Sequence, residues 1–173
     1  MITDVLSTLT GVSINDASHV IKQGWQGSRP FMTGCLIITK DVYSVCMGTV
    51  IDVGIDDKNN LYSVTVEYDY SLWLRYCLLK SCNVKVGDSV DQGTKIGTAY
   101  KDILRFEYCT DTFSVFPVRC GENQLYKHDP MPVLAGEVSL TELDDPGNIV
   151  ILEPGSSIPD EYIGGIDPDV EDE

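Results

Sequence analysis

The sequence predicts a mainly β protein built around a small antiparallel sheet. From about residue 31 to 136, short runs rich in Val, Ile, Tyr and Thr are separated by turn residues, at the spacing of roughly eight to twelve positions that is typical of hairpin-linked strands. Residues 62–68 alternate apolar and polar side chains, as expected for a strand with one buried face. At 173 residues and 43% hydrophobic composition, the chain is long enough for one domain with its own core.

The individual strands follow from these runs and from the turns between them. The polar sequence at residues 56–60 separates two runs and predicts a hairpin loop. The predicted strands are residues 35–39, 42–53, 62–70, 73–79, 96–99, 103–109 and 112–118.

The two ends of the chain differ from this middle. Residues 1–28 predict an N-terminal arm or a short helix, and residues 29–136 predict the β domain. Residues 137–173 hold twelve of the 27 acidic residues and none of the 12 Lys and Arg. This acidic segment has too little apolar surface to fold alone, so we expect it to be extended and partly disordered over about its last fifteen residues.

Charge and hydropathy exclude two classes of partner. The net charge is −15 and no Lys/Arg cluster is present, whereas nucleic-acid binding requires a basic face. No apolar run reaches the length of a membrane span, and residues 1–4 lack the basic start of a secretion signal. We therefore expect no nucleic acid, no membrane insertion and synthesis in the cytoplasm without export.

The six cysteines contain no C-x-x-C pair, so zinc-ribbon spacing is absent. Without an export signal, free and partly buried thiols are favoured. Three disulfide bridges are the alternative. The cysteines are Cys35, Cys46, Cys77, Cys82, Cys109 and Cys120.

Five segments together carry a family resemblance. Residues 42–54 read V-Y-S-V-C-M-G-T-V-I-D-V-G, and residues 76–79 read Y-C-L-L. Residues 84–97 read V-K-V-G-D-S-V-D-Q-G-T-K-I-G, residues 103–107 read I-L-R-F-E, and residues 129–134 read D-P-M-P-V-L. In this order they resemble the LytM-type zinc endopeptidases, peptidase family M23. The resemblance implies a small antiparallel β domain of the M23/LytM, barrel-sandwich-hybrid-like type.

A second family shares one of these segments. Lipoyl and biotinyl carrier domains also use V-x-x-G-D-x-V-x-x-G, because Gly87 and Gly93 allow a strand to reverse tightly. The chain has no Met-Lys-Met or Asp-Lys-Ala carrier lysine, and the last two segments have no place in a carrier domain. The peptidase resemblance is therefore favoured.

The same resemblance implies that the zinc chemistry is lost. Members of the family hold zinc with two His and one Asp and use further His near the attacking water. This chain has only His19 and His128, both outside the matching motifs of the active centre. By this resemblance, Arg105 and Ile103 occupy the two His positions of the family's H-L-H-F-E motif, of which the Arg105 position is a zinc ligand. Cys77 occupies the position of a catalytic His. A guanidinium has no lone pair for a metal.

The resemblance places the family's upstream His and Asp zinc ligands within residues 29–36. These residues contain neither His nor Asp. We therefore predict no catalytic residue, no metal and no cofactor. A replacement site made by Cys35, Cys77 and Cys109 is a less favoured alternative, because their spacing does not support it.

Further expectations concern side chains around the positions that hold the family's zinc centre. Arg105 and Glu107 lie two apart on one predicted strand, so they face the same side. We expect an ion pair that fills the vacated cavity, in preference to a binding role. Residues 98–102 replace a longer loop of the family and predict a remodelled groove wall. His128 is expected at the surface or as a turn cap, and His19 at a short helix.

These observations predict a catalytically inactive peptidase-like domain that acts as a structural or docking module. By resemblance, the setting is a phage tail tip or baseplate, with virion localisation after assembly in the host cytoplasm. The expected partners are other proteins of that assembly, contacted through residues 137–173. A regulatory pseudo-enzyme that binds a cell-wall hydrolase or a peptidoglycan peptide is one alternative, and an endopeptidase with a non-standard metal site is another.

Overall fold

Most of the predicted β region is present in the structure, a computed structural model. It describes residues 4–14, 20–23, 34–69, 72–130 and 134. Within these residues, eleven strands form one hydrogen-bonded network in which every strand pair is antiparallel. The prediction of a mainly β, antiparallel fold is confirmed.

The elements follow in chain order. They are α1 (Asp4–Thr10), β1 (Ile21–Gln23), β2 (Cys35–Ile38), β3 (Asp41–Tyr43), β4 (Gly48–Ile55), β5 (Tyr62–Asp69), β6 (Leu72–Cys82), β7 (Ser89–Val90), β8 (Lys95–Ala99), a one-turn 3-10 helix (Tyr100–Asp102), β9 (Ile103–Thr110), β10 (Pro117–Cys120) and β11 (Asn123–His128).

The central strands run in the order β1-β2-β9-β6-β5-β4-β7. The β10–β11 hairpin joins this sheet through β11 and β9, and β3 joins it through β8 and β6. The predicted hairpin at residues 56–60 is present, with Ile55 opposite Tyr62. Asp56 closes it, because its carboxylate accepts a hydrogen bond from the Lys58 backbone N–H at 2.8 Å.

Two predicted strands differ from the structure. The run at 42–53 is divided into β3 and β4, because Ser44 leaves the ladder and exchanges backbone hydrogen bonds with Gly93 and Thr94. The prediction of a strand at 112–118 is wrong except at its end, where β10 begins. At the start of this run the Thr110 hydroxyl accepts a hydrogen bond from the backbone N–H of Thr112 at 3.0 Å, and such local side-chain bonds compete with the hydrogen bonds of a strand ladder.

The core lies on one face of β6 and β9. Leu104, Phe106 and Tyr108 of β9 and Leu74 and Tyr76 of β6 are all buried there. The rings of Tyr76 and Phe106 meet edge to face with centroids 5.6 Å apart, a favoured aromatic geometry. Because side chains alternate along a strand, the intervening residues face the other side of the sheet.

The N-terminal segment contributes to the same core. Leu6 and Leu9, three residues apart on α1, are completely buried among the core residues. Gly11 follows the helix at φ +76°, a conformation that suits glycine at a helix C-terminus. Since β1 pairs with β2, part of the predicted arm is an edge of the sheet.

Two expectations lie outside the described residues: the acidic segment 137–173 and the helix at His19. Across the part of the chain that is described, no helix has the length and apolar character needed to cross a membrane.

Candidate functional site

The strand register brings the predicted site positions together on the face opposite the core. Arg105 on β9 lies between Leu36 on β2 and Cys77 on β6. Ile103 lies two residues before Arg105 and pairs with Ile38. Directly opposed residues of antiparallel strands point to the same face. Arg105, Ile103 and Cys77 therefore share one side of the sheet.

A buried carboxylate stands beside them. Glu107 is completely buried, and Arg75 lies opposite it on β6. Nη1 of Arg75 donates a hydrogen bond to Oε1 of Glu107. Arg105 Nε lies 3.3 Å from Oε2 of Glu107, and Lys127 Nζ lies 3.2 Å from the same oxygen. The expected Arg105–Glu107 ion pair is present, within a larger charge cluster of Arg75, Arg105, Glu107 and Lys127.

The cations control the ionisation of Glu107. Burial alone would raise its pKa, but Arg75, Lys127 and Arg105 outweigh burial and lower the pKa to about 2. The carboxylate is therefore negative at neutral pH. Removing one member of such a cluster leaves an uncompensated buried charge, which is strongly destabilising.

An open cavity of about 320 Å³ lies next to the charge cluster. Arg75, Arg105 and Cys77 form part of its lining, and Arg119 of β10 and Asp52 of β4 line it as well. Arg119 was not singled out from the sequence, because no motif contains it. Only the pairing of β10 with β11, and of β11 with β9, brings it to this face.

The model of peptidase family M23 matches residues 32–108. This stretch includes β2 to β8 and most of β9, and therefore Arg105, Cys77 and Glu107. Residues 32–108 form a domain of the M23 type. No curated protein matches the chain in sequence.

Several solved structures are similar to this chain. The peptidase lysostaphin from Staphylococcus simulans is 22% identical, with a TM-score of 0.52 over 78% of this chain and 59% of that chain. A solution structure of lysostaphin is 21% identical with a TM-score of 0.49, over 72% and 49% of the two chains. A chain of the SpoIIQ–SpoIIIAH pore-forming complex is 17% identical with a TM-score of 0.51, over 73% and 89%. This chain thus spans about half to three fifths of the lysostaphin chains.

The residues of this M23-type domain do not fit zinc. The guanidinium of Arg105 has no lone pair to donate. Burial raises the pKa of the Cys77 thiol, although Arg75 and Arg105 act in the opposite direction, and a metal binds the thiolate. Among the described side chains, no group of three or more His, Cys, Asp or Glu is placed to hold a metal ion.

Strand β2 and the residue before it add no ligand to this face. They present Gly34, Leu36 and Ile38 to the side that carries Arg105. A Cβ on Gly34 would lie 2.9 Å from Cγ of Arg105 and 3.0 Å from Cγ of Glu107. The missing side chain at Gly34 therefore leaves the space that the Arg105–Glu107 pair occupies.

The alternative site of three cysteines is contradicted by the register. Cys35 pairs with Phe106 and belongs to the main core, on the opposite face from Cys77. Cys109 pairs with Trp73 and packs in a separate cluster with Cys120 and Leu125. Cys35 therefore cannot join Cys77 and Cys109 around one ion.

Two other expectations have clear outcomes. His128 is 1% exposed, so the prediction of a surface position is wrong. Its Nε2 lies 2.8 Å from Oγ1 of Thr110 and 3.1 Å from the carbonyl oxygen of Thr112, because β11 packs against β9. The groove wall at residues 98–102 is short, as expected: one 3-10 turn, Tyr100–Asp102, joins β8 to β9.

Proposed function

We propose that the M23-type domain is catalytically inactive and serves as a structural or docking module. The observation that carries this proposal is the position of Arg105. The family resemblance places a zinc-ligand His there, whereas here a guanidinium lies 3.3 Å from a completely buried carboxylate. A cation that neutralises Glu107 opposes the binding of a second cation at the same point.

The neighbouring substitutions support the same proposal. Ile103 has no donor atom, and Cys77 is 3% exposed with a pKa raised by burial. Neither side chain suits general-base chemistry at neutral pH, which needs an accessible group with a pKa near the working pH. The centre thus lacks both the ligands and the base that hydrolysis by this family requires.

The docking role is proposed from what the scaffold keeps and what the chain adds. The M23-type fold occurs in a chain of the SpoIIQ–SpoIIIAH pore-forming complex, so the fold is compatible with assembly. The twelve carboxylates of residues 137–173 favour partners with a basic surface, since opposite charges steer association. We propose other proteins of a phage tail tip or baseplate as these partners.

Metal analysis and a hydrolysis assay test the inactivity. Purified protein should contain no stoichiometric zinc and should not cleave glycyl or stem-peptide bonds, while an active M23 peptidase assayed beside it does so. A zinc content near one per chain, or zinc-dependent cleavage, contradicts the proposal and favours the non-standard metal site.

A mass-spectrometric inventory of complexes that contain the chain tests the docking role. Co-purification with tail or baseplate proteins supports the proposed setting. Recovery of a cell-wall hydrolase instead supports the regulatory pseudo-enzyme.

A further inference from the structure

The cavity beside Glu107 carries more positive than negative charge on its walls. Among the described residues that line it, three are arginines and two are carboxylates, Asp52 and Asp56. Asp56 is exposed and its carboxylate serves the β4–β5 turn. Glu107 behind the cavity pairs with Arg75 and Arg105 and offsets part of their charge, and Lys127 beside it adds a fourth cation. Four cations therefore stand against three carboxylates in and directly behind this concave surface, in a chain with net charge −15.

Arg75 and Arg119 each contact other groups of the protein. Arg75 is fixed by Glu107 and by its Nε, which donates to Oγ1 of Thr65 at 3.3 Å. Arg119 Nη1 donates to the carbonyl oxygen of Glu122 at 3.3 Å. Each guanidinium has five N–H donors, so these contacts do not exhaust either side chain. Guanidinium groups held in place are suited to bind carboxylates, often through two parallel hydrogen bonds.

The volume and the lining of the cavity favour, as its ligand, a carboxylate side chain of a peptide. A volume of about 320 Å³ is at the small end of the range for ligand sites. Asp52 and Asp56 oppose a dianion more strongly than a monoanion. Ile55, Tyr62 and Leu78 add apolar surface to the lining, which suits an acidic residue flanked by apolar ones.

We propose that this cavity is a carboxylate-binding site whose occupant is the acidic segment, residues 137–173, of the same chain. The inference rests on the proposed function in one respect, namely that the cavity is not a zinc centre. It adds an intramolecular contact between the altered centre and the segment that the docking role uses.

The segment has the required chemistry and reach. It combines twelve carboxylates with no Lys or Arg, and apolar groups such as Ile149–Leu152 and Tyr162 lie among them. The chain continues for 39 residues after Leu134, which is roughly 130 Å if fully extended. A tethered segment of this kind reaches an effective concentration of about a millimolar, so it competes strongly with free carboxylates.

The contact regulates docking. A partner with a basic surface must withdraw the segment from the cavity, and a partner with an acidic surface must displace it. In both cases the free chain is restrained until the partner is present, and the restraint weakens as salt screens the charges.

Peptide binding to the full-length chain tests this proposal. The probe is a fluorescent peptide of residues 137–173, followed by anisotropy at low salt. The comparison is between the wild type and a full-length variant in which the twelve acids of 137–173 are changed to Asn and Gln. We expect binding to the neutralised variant and at least about tenfold weaker binding to the wild type, whose own segment competes.

Matched substitutions in the neutralised background locate the contact. Arg119→Gln should weaken peptide binding by on the order of threefold, the effect of one exposed ion pair. Arg105→Gln is a second variant, in which Glu107 keeps Arg75 and Lys127. Asp52→Asn should strengthen binding, because it removes a negative group from the lining. Lys85→Gln makes the same charge change as Arg119→Gln outside the cavity lining and should have no effect.

Several outcomes overturn the proposal. These are equal binding to the wild type and the neutralised variant, binding to neither, or an equal loss with Lys85→Gln and Arg119→Gln. A wild-type dimer that dissociates when the segment is neutralised also overturns it, since the occupant would then be a second copy. Zinc in the protein would contradict the inactivity as well, whereas a negative peptide result leaves the inactivity intact.

Discussion

Arg105 Nε lies 3.3 Å from Oε2 of Glu107, two residues further along the same strand. The pair joins Arg105, which the family resemblance places at a zinc-ligand position, to a completely buried carboxylate. Arg75 and Lys127 approach the same carboxylate from β6 and β11. Four charged side chains therefore form one ionic cluster on this face of the sheet, and removing one of them leaves a buried charge without its partner.

Loss of the Glu107 charge should destabilise the fold. Glu107→Gln leaves Arg75, Arg105 and Lys127 without a counter-charge, so the free energy of unfolding should fall by about 3–5 kcal/mol. Urea unfolding followed by tryptophan fluorescence measures the change. Glu122→Gln, an exposed carboxylate on the β10–β11 turn, is the matched control and should change stability by less than about 0.5 kcal/mol. Equal stability of the two variants would show that the cluster contributes little.

The low pKa of Glu107 predicts a specific pH dependence. The pKa is about 2 in the folded protein and near 4.5 in an unperturbed chain, so the unfolded state binds the proton first as pH falls. The contribution is complete above pH 4.5 and is lost as the pH falls from about 4.5 to about 2. Its size is on the order of 3 kcal/mol.

Other carboxylates titrate over the same range, so the comparison must be made between variants. The difference in unfolding free energy between the wild type and Glu107→Gln should be constant above pH 5 and shrink towards pH 2. A difference that stays constant down to pH 2 would mean that Glu107 is not held ionised by its neighbours.

Much of the fold could be predicted from the sequence, because the central strands have recognisable residue patterns and turn residues. The alternation at residues 62–68 and the Asp56 turn identify β4 and β5, and Gly87 and Gly93 adopt the positive φ values of 97° and 89° that their turns require. Strands β1, β7 and β11 were missed. Ile21–Gln23 is three residues long, Ser89–Val90 is two residues long, and Asn123–His128 has no apolar alternation. Tertiary pairing therefore determines all three.

The candidate site could be predicted only in part. Arg105, Ile103 and Cys77 were identified because they stand inside motifs with fixed spacing. Arg75 and Lys127 were not, since their relation to Glu107 depends on the register of β6 and β11 against β9. A buried His128 was missed for the same reason: burial of a polar residue follows from strand packing, which local sequence does not specify.

The cysteines should be reduced and mostly unreactive in the folded protein. All six are free thiols, five are buried, and Cys82 is half-buried. Burial raises the pKa of Cys46 to about 12 and also raises that of Cys109, which removes the reactive thiolate. A thiol reagent should modify Cys82 first in native protein and all six after denaturation without reductant. Finding no thiols after denaturation would indicate an oxidised protein.

Returning histidine to the family positions should not restore hydrolysis. The variant is Cys77→His, Ile103→His and Arg105→His, which supplies imidazoles on β6 and β9. Among the described residues of β2 and the one before it, only Gly34 and Leu36 lie beside position 105, and zinc catalysis needs three protein ligands with one open position.

The expected result is therefore no cleavage of glycyl or stem-peptide bonds at saturating zinc, together with lower stability, because Glu107 loses one of its cations. Arg105→Gln alone is the control for that loss, so the two variants should unfold at similar urea concentrations if the histidines bind no metal. Zinc-dependent hydrolysis by the triple variant, or a zinc-dependent rise in its stability above that of Arg105→Gln, would show that the ligand set on this face is more complete than Gly34 and Leu36 allow.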